Sequence, residues 1–215
     1  MNPFPVPVVC FFAAIAFLMA IRYLVLRAVE LDRLEAGSCL YNRAGFDKRG
    51  NALLALCQDG GRPLSVVVFD FADLLEVRDI YGSEIARRLT ARVVRKLAAV
   101  TGSGGFAART GPAEFTLVIP YVGRDKMISR IRRVMGSPMR IEFDAGDHEI
   151  VMVPEFQIET ADAYTLSVGE LHGELRSEIA AAQAREQRRH QLMQRERERH
   201  SRPMGLAVPA MPTPA

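Results

Sequence analysis

Apolar residues recur along this chain in two rhythms. From Ser83 to Val100, the residues Ile85, Leu89, Val93, Leu97 and Val100 fall three and four apart, which predicts an amphipathic helix. From Leu64 to Phe69 the run is apolar and ends on Asp70, the pattern of a buried strand. Phe106 to Pro120 reads as a hairpin, because two apolar segments flank Thr110-Gly111-Pro112-Ala113-Glu114 and Gly-Pro marks a reversal. A helix is expected from Asn42 to Cys57, with Phe46, Leu53, Leu54 and Leu56 inward and Asp59-Gly60-Gly61 closing it. Another is expected over Arg124–Met135. Met139–Phe143 and Glu149–Ile158 read as two strands joined by Asp144-Ala145-Gly146-Asp147. A last helix starts near Ser167 and turns Leu171, Leu175 and Ile179 inward. Helices and strands alternate but hairpins interrupt them, which implies an α+β fold with a mixed or antiparallel sheet.

The two ends of the chain differ from this middle. Pro3 to Ile21 carries no charge, and apolar character resumes beyond Arg22. A helix of roughly 20 apolar residues spans a bilayer core, so residues 4–27 are expected to form a transmembrane anchor. A cleaved signal peptide is disfavoured, since no basic residue precedes the run and no small-x-small site follows it. Arg22, Arg27 and Arg33 lie on its C-terminal side, so the bulk of the protein is expected in the cytoplasm. Residues 28–37 read as a charged linker helix, 38–183 as the folded domain, 184–202 as a charged helical extension and 203–215 as a disordered tail. The extension is rich in arginine but has no aromatic residues for stacking. A solvated or coiled-coil helix is therefore favoured over binding of anionic lipid or RNA, and nucleic acid is the less favoured partner.

Composition narrows the picture only a little. Lys and Arg number 28 against 25 acidic residues, a formal net charge of +3, so the overall balance demands no polyanion. The cysteines Cys10, Cys39 and Cys57 have no metal-ligand spacing and read as reduced thiols. The histidines His148, His172, His190 and His200 are scattered and read as surface residues.

Leu40–Phe46, Asp70–Gly82 and Arg109–Phe115, taken in this order, resemble the GGDEF domain, the catalytic domain of bacterial diguanylate cyclases. Leu40-Tyr41-Asn42-Arg43-Ala44-Gly45-Phe46 is similar to its opening Asn-Arg-Arg-x-Phe motif. The segment from Asp70 to Gly82 is similar to Asp-Ile-Asp-x-Phe-Lys-x-Ile-Asn-Asp-x-x-Gly. Arg109-Thr110-Gly111-Pro112-Ala113-Glu114-Phe115 stands where Arg-x-Gly-Gly-Asp/Glu-Glu-Phe belongs. The resemblance implies a palm-like, ferredoxin-type sheet, and a family reaction that joins two GTP molecules into cyclic di-GMP on metal ions.

Carried over position by position, the resemblance implies a site in remnants. Asp70 and the main-chain carbonyl of Phe71 match metal ligands, while Gly111 and Glu114 remain from the signature. Its third position, a metal-binding carboxylate in the family, is Ala113, and its second glycine is Pro112. Arg78 and Arg87 replace the guanine-reading asparagine and its aspartate partner, and Leu75 replaces a lysine. The closing Ala-Lys…Arg reads Ala182-Gln183-Ala184-Arg185-Glu186-Gln187, with no lysine in register, and the Arg-x-x-Asp product site is Gly102-Ser103-Gly104-Gly105. The expectation is a membrane-anchored degenerate member without cyclase activity, acting as a regulatory platform through a protein partner or homodimer. The alternative is a residual cyclase or GTP-sensing domain on Asp70 and Glu114, with weak binding of GTP or cyclic di-GMP. No cofactor is expected, save Mg²⁺ if that remnant holds nucleotide.

Overall fold

The structure, a computed structural model, describes residues 15–23, 34 and 39–201, with side chains to 194. Residues 15–23 are helical (α1), and the apolar side chains Ile15, Phe17, Leu18, Met19 and Ile21 are exposed. The remainder of the expected anchor, 4–14 and 24–27, lies outside the described residues, as does the tail 203–215. Among the described residues no helix is long and apolar enough to cross a membrane. Of the expected linker helix 28–37, only Leu34 is described. It forms an antiparallel bridge with Tyr41 rather than a helical turn.

The domain runs α2 (Arg43–Asp59), β1 (Leu64–Asp70), α3 (Asp73–Tyr81), α4 (Ser83–Thr101), β2 (Phe106–Arg109), β3 (Glu114–Pro120), α5 (Arg124–Met135), β4 (Ile141–Asp144), β5 (Glu149–Met152), β6 (Glu155–Ala161) and α6 (Val168–Ser201). Four strands form an antiparallel sheet in the order β2-β3-β1-β6, and β4-β5 is a separate hairpin. The α+β expectation holds, with an antiparallel sheet. α3 lies in a segment for which the sequence predicts no element; Leu74 and Val77, three apart, supply its buried side. Glu149–Ile158, expected as one strand, is two strands in different sheets. Pro154 separates them, as it lacks the N–H that a continuing ladder needs.

The central strand β1 is buried from Leu64 to Phe69 and mostly apolar, because both of its faces are covered. Val67 and Phe69 point to a core built with Leu89, Val93 and Leu97 of α4 and Met127 and Ile131 of α5. Val66 and Val68 point the other way, to Phe46 and Leu54 of α2 and Leu171, Leu175 and Ile179 of α6. Leu56, expected inward, is 59% exposed, and Cys57 takes the buried place one position on. The Asn42 side chain caps α2 by accepting from the Gly45 N–H at 2.9 Å. The edge of β2 is covered by Tyr41, whose N–H donates to the Ala107 carbonyl while its carbonyl accepts from the Arg109 N–H.

Candidate functional site

The register of the sheet decides which side chains meet. Asp70, at the end of β1, pairs with Glu114 of β3 on one side and with Glu155 of β6 on the other. Three carboxylates therefore stand abreast in one row, and strand alternation turns them to the face covered by α6. Like charges directly opposite across strands repel. The row persists because α6 lays polar side chains over it from one stripe, His172, Arg176 and Gln183, four and then seven residues apart.

Each carboxylate has its own partner. Glu114 accepts from His172 Nε2 at 2.8 Å and pairs with Arg176 Nε at 3.4 Å, with 13% of its side chain exposed. Burial pushes the Glu114 carboxyl up, but hydrogen bonds from His172 and Thr110 and the Arg176 guanidinium outweigh it, so the group sits below the usual carboxylate range. Asp70 Oδ2 accepts from Gln183 Nε2 at 2.9 Å. Glu155 is raised, first by burial and then by the negative charges of Asp70 and Glu186, with a Gln183 hydrogen bond as partial relief. Gln183 thus bridges two carboxylates with a neutral amide.

His172 is 2% exposed, which overturns its reading as a surface histidine. Its ring packs on Phe46 with centroids 5.5 Å apart, and its Nδ1 lies 3.0 Å from Arg43 Nη1. Arginine can only donate, so Nδ1 accepts and the ring proton is on Nε2, pointed at Glu114. A chain of contacts, Arg43–His172–Glu114–Arg176, therefore ties the start of α2 to β3 and α6. The helical phase of His172, beside the inward Leu171 and Leu175, is the sequence signal that could have placed it inside. This partner set keeps Glu114, which follows the hairpin turn, out of solvent.

The remaining residues picked out from the sequence are dispersed. The Phe71 carbonyl accepts from the Leu74 N–H at 2.8 Å, and the Phe71 N–H donates to the Ala113 carbonyl at 3.0 Å. Ala113 is 6% exposed and belongs to the core on the α4 face. Gly111 lies in the hairpin turn, where its N–H and that of Thr110 both donate to the Glu114 carbonyl and Arg109 donates to the carbonyls of Gly111 and Pro112. Arg78 and Arg87 are exposed and pair with their helix neighbours Asp79 and Glu84. Leu75 is 39% exposed. Of the expected site, the fold brings together Asp70, Glu114 and Gln183, and adds Glu155, His172, Arg176 and Arg43. Among the described residues no group of three or more His, Cys, Asp or Glu is arranged to hold a metal ion.

Comparison with known proteins agrees with this architecture. The coiled coil and GGDEF domain of DgcB from Caulobacter crescentus, solved with c-di-GMP, superposes with a TM-score of 0.67 at 15% identity, covering 82% of this chain and 93% of that one. A sensory box/GGDEF family protein from Caulobacter crescentus gives 0.60 at 20% identity over 72% and 99%. The diguanylate cyclase SiaD of Pseudomonas aeruginosa, in complex with its activator SiaC, gives 0.62 at 14% over 82% and 69%. No curated protein matches by sequence. At such identities these likenesses speak for the fold. The family model described as "Diguanylate cyclase, GGDEF domain" matches residues 35–191, most of the chain, and the protein therefore belongs to the GGDEF domain family of cyclic di-GMP signalling.

Proposed function

We propose that this protein is a membrane-anchored, degenerate GGDEF domain that makes no cyclic di-GMP and signals by contact, with a protein partner or a second copy of itself. One observation carries the reading: the carboxylate row where the family's metals would sit is closed from above by α6. Glu114 is held by His172 and Arg176, and Asp70 by Gln183. The donor set does not fit a metal pair. Asp70 and the Phe71 carbonyl remain, but Glu114 is taken up by His172 and Arg176, and Ala113 contributes a buried methyl group. Pro112 further removes a backbone donor from the turn. Loss of one oriented electrostatic group typically costs a factor of about 10²–10³ in rate, and several are lost together here.

The apolar run 4–27 and the arginines that follow it support an inner-membrane anchor with the domain in the cytoplasm. The exposed apolar side chains of α1 fit a lipid setting. SiaD, solved with an activator protein, offers a precedent for control by protein contact in this fold. A second reading, a GTP sensor, is favoured by the single neutral hydrogen bond that holds Asp70, since rotation of Gln183 would free that carboxylate. The test is incubation of the full-length protein with GTP and Mg²⁺, with chromatography of the products. No cyclic di-GMP is expected above a no-protein control. Product that disappears in Asp70→Ala would overturn the proposal, and Asp70-dependent binding without product would establish the sensor.

A further inference from the structure

We infer that a cleft between α4 and the α5–β4 connection binds a small phosphate-bearing molecule. The cleft has a volume of about 340 Å³, and its walls include Arg92, Lys96, Ser137, Arg140 and Glu142 over the buried Met135. Arg92 and Lys96 stand four apart on one face of α4, an arrangement of like charges that slightly weakens a helix. Among the described residues neither has an ion-pair partner, whereas their neighbours are engaged. Arg87 pairs with Glu84 at 2.7 Å, and Arg88 lies over the Phe143 ring. Arg140 spends its Nε on Glu142 at 2.7 Å, which leaves its terminal nitrogens for a ligand.

Three cations against one carboxylate leave the cleft with an uncompensated charge of two, the match for a phosphate dianion or a pyrophosphate. Arginine's paired donors suit phosphate oxygens, and the Ser137 hydroxyl adds a further donor. The surroundings strengthen the pull. Together α4 and α5 carry ten Lys or Arg and only two acidic residues, Glu84 and Asp125, so the field over this face draws anions in. Concave shape and the lack of an aromatic wall favour a compact head group over a nucleic-acid strand. The cleft shares no residue with Gly102–Gly105 or with the carboxylate row.

Thermal unfolding of the full-length protein tests this, with sodium pyrophosphate, with GTP, and with sodium chloride at matched ionic strength. Pyrophosphate is expected to raise the midpoint in a saturable way that chloride does not reproduce. The apparent Kd should weaken at least tenfold in Arg92→Ala/Lys96→Ala and stay unchanged in Arg188→Ala, an exposed cation of the α6 extension. The same dependence with GTP would identify a nucleotide as the source of the phosphate, and a response to pyrophosphate alone would identify the free anion. No shift beyond chloride, or a shift that the double variant keeps, would overturn the inference.

Discussion

Replacing His172 with alanine tests whether α6 is locked to the sheet through Glu114. The substitution removes a ring that is 2% exposed, donates to Glu114 at 2.8 Å and packs on Phe46. A hydrogen bond to a charged group contributes about 1.5–3 kcal/mol, and a ring–ring contact about 0.5–1.5 kcal/mol. Glu114 keeps Arg176, but Arg43 loses its acceptor. The total loss is therefore about 2–4 kcal/mol, or a fall of roughly 5–15 °C in Tm for a domain of this size. Thermal unfolding by circular dichroism on the full-length protein measures it. The comparison that isolates the contact is a double-mutant cycle with Glu114→Gln, for which a coupling energy of about 1.5 kcal/mol or more is expected. A Tm within about 2 °C of wild type, or strictly additive effects, would refute the lock.

Further outcomes follow from the same geometry. Glu114 has a depressed folded-state pKa, so the stability it contributes is present above its unfolded value and is lost as pH falls through the lower folded value; Glu114→Gln should flatten the decline of Tm below about pH 4.5. Glu155 has a raised pKa, so its contribution is present below the unfolded value and is lost as pH rises through the folded one. Glu155→Gln should accordingly raise Tm at pH 7 but not at pH 4. Gln183→Lys puts a cation between Asp70 and Glu155, and should raise Tm at neutral pH by an amount that high salt reduces. Ala113→Asp should leave cyclic di-GMP synthesis at background and lower Tm, because the new carboxylate replaces a methyl that is 6% exposed in the core. Gly50→Ala should cost about 1–3 kcal/mol in urea unfolding, since the added Cβ would collide with Cγ2 of the buried Val168.

Much of the fold was legible because its elements are long and strongly patterned. The helix expected from Ser83 to Val100 ends one residue later in the structure, and the one expected over Arg124–Met135 has those bounds. Both have a clean three-to-four apolar period closed by glycine, so local pattern and tertiary burial agree. The break is signalled by Pro154 itself, but apolar residues continue on both sides of it, and pairing with different partners is what separates β5 from β6. α3 was missed because nine residues offer little more than two turns of period.

The site was less legible for a different reason. Asp70, Glu114 and Gln183 could be named from motifs, but what each does depends on residues far along the chain. His172 reaches Glu114 across 58 positions, Arg43 reaches His172 across 129, and Gln183 reaches Asp70 across 113. Glu155 entered no motif at all; it joins the row only because β6 pairs with β1 in one register. A carboxylate at a turn looks solvated until the helix that covers it is placed.

The most direct test of the account is whether metal nucleotide binds at Asp70. Mn²⁺ with GTP would be titrated into the full-length Arg92→Ala/Lys96→Ala protein, so that the proposed phosphate cleft cannot contribute, and bound Mn²⁺ read from the loss of its free electron paramagnetic resonance signal. The account predicts the same free Mn²⁺ signal with and without protein. Immobilised Mn²⁺ that is released by Asp70→Ala would contradict it and return the site to nucleotide chemistry.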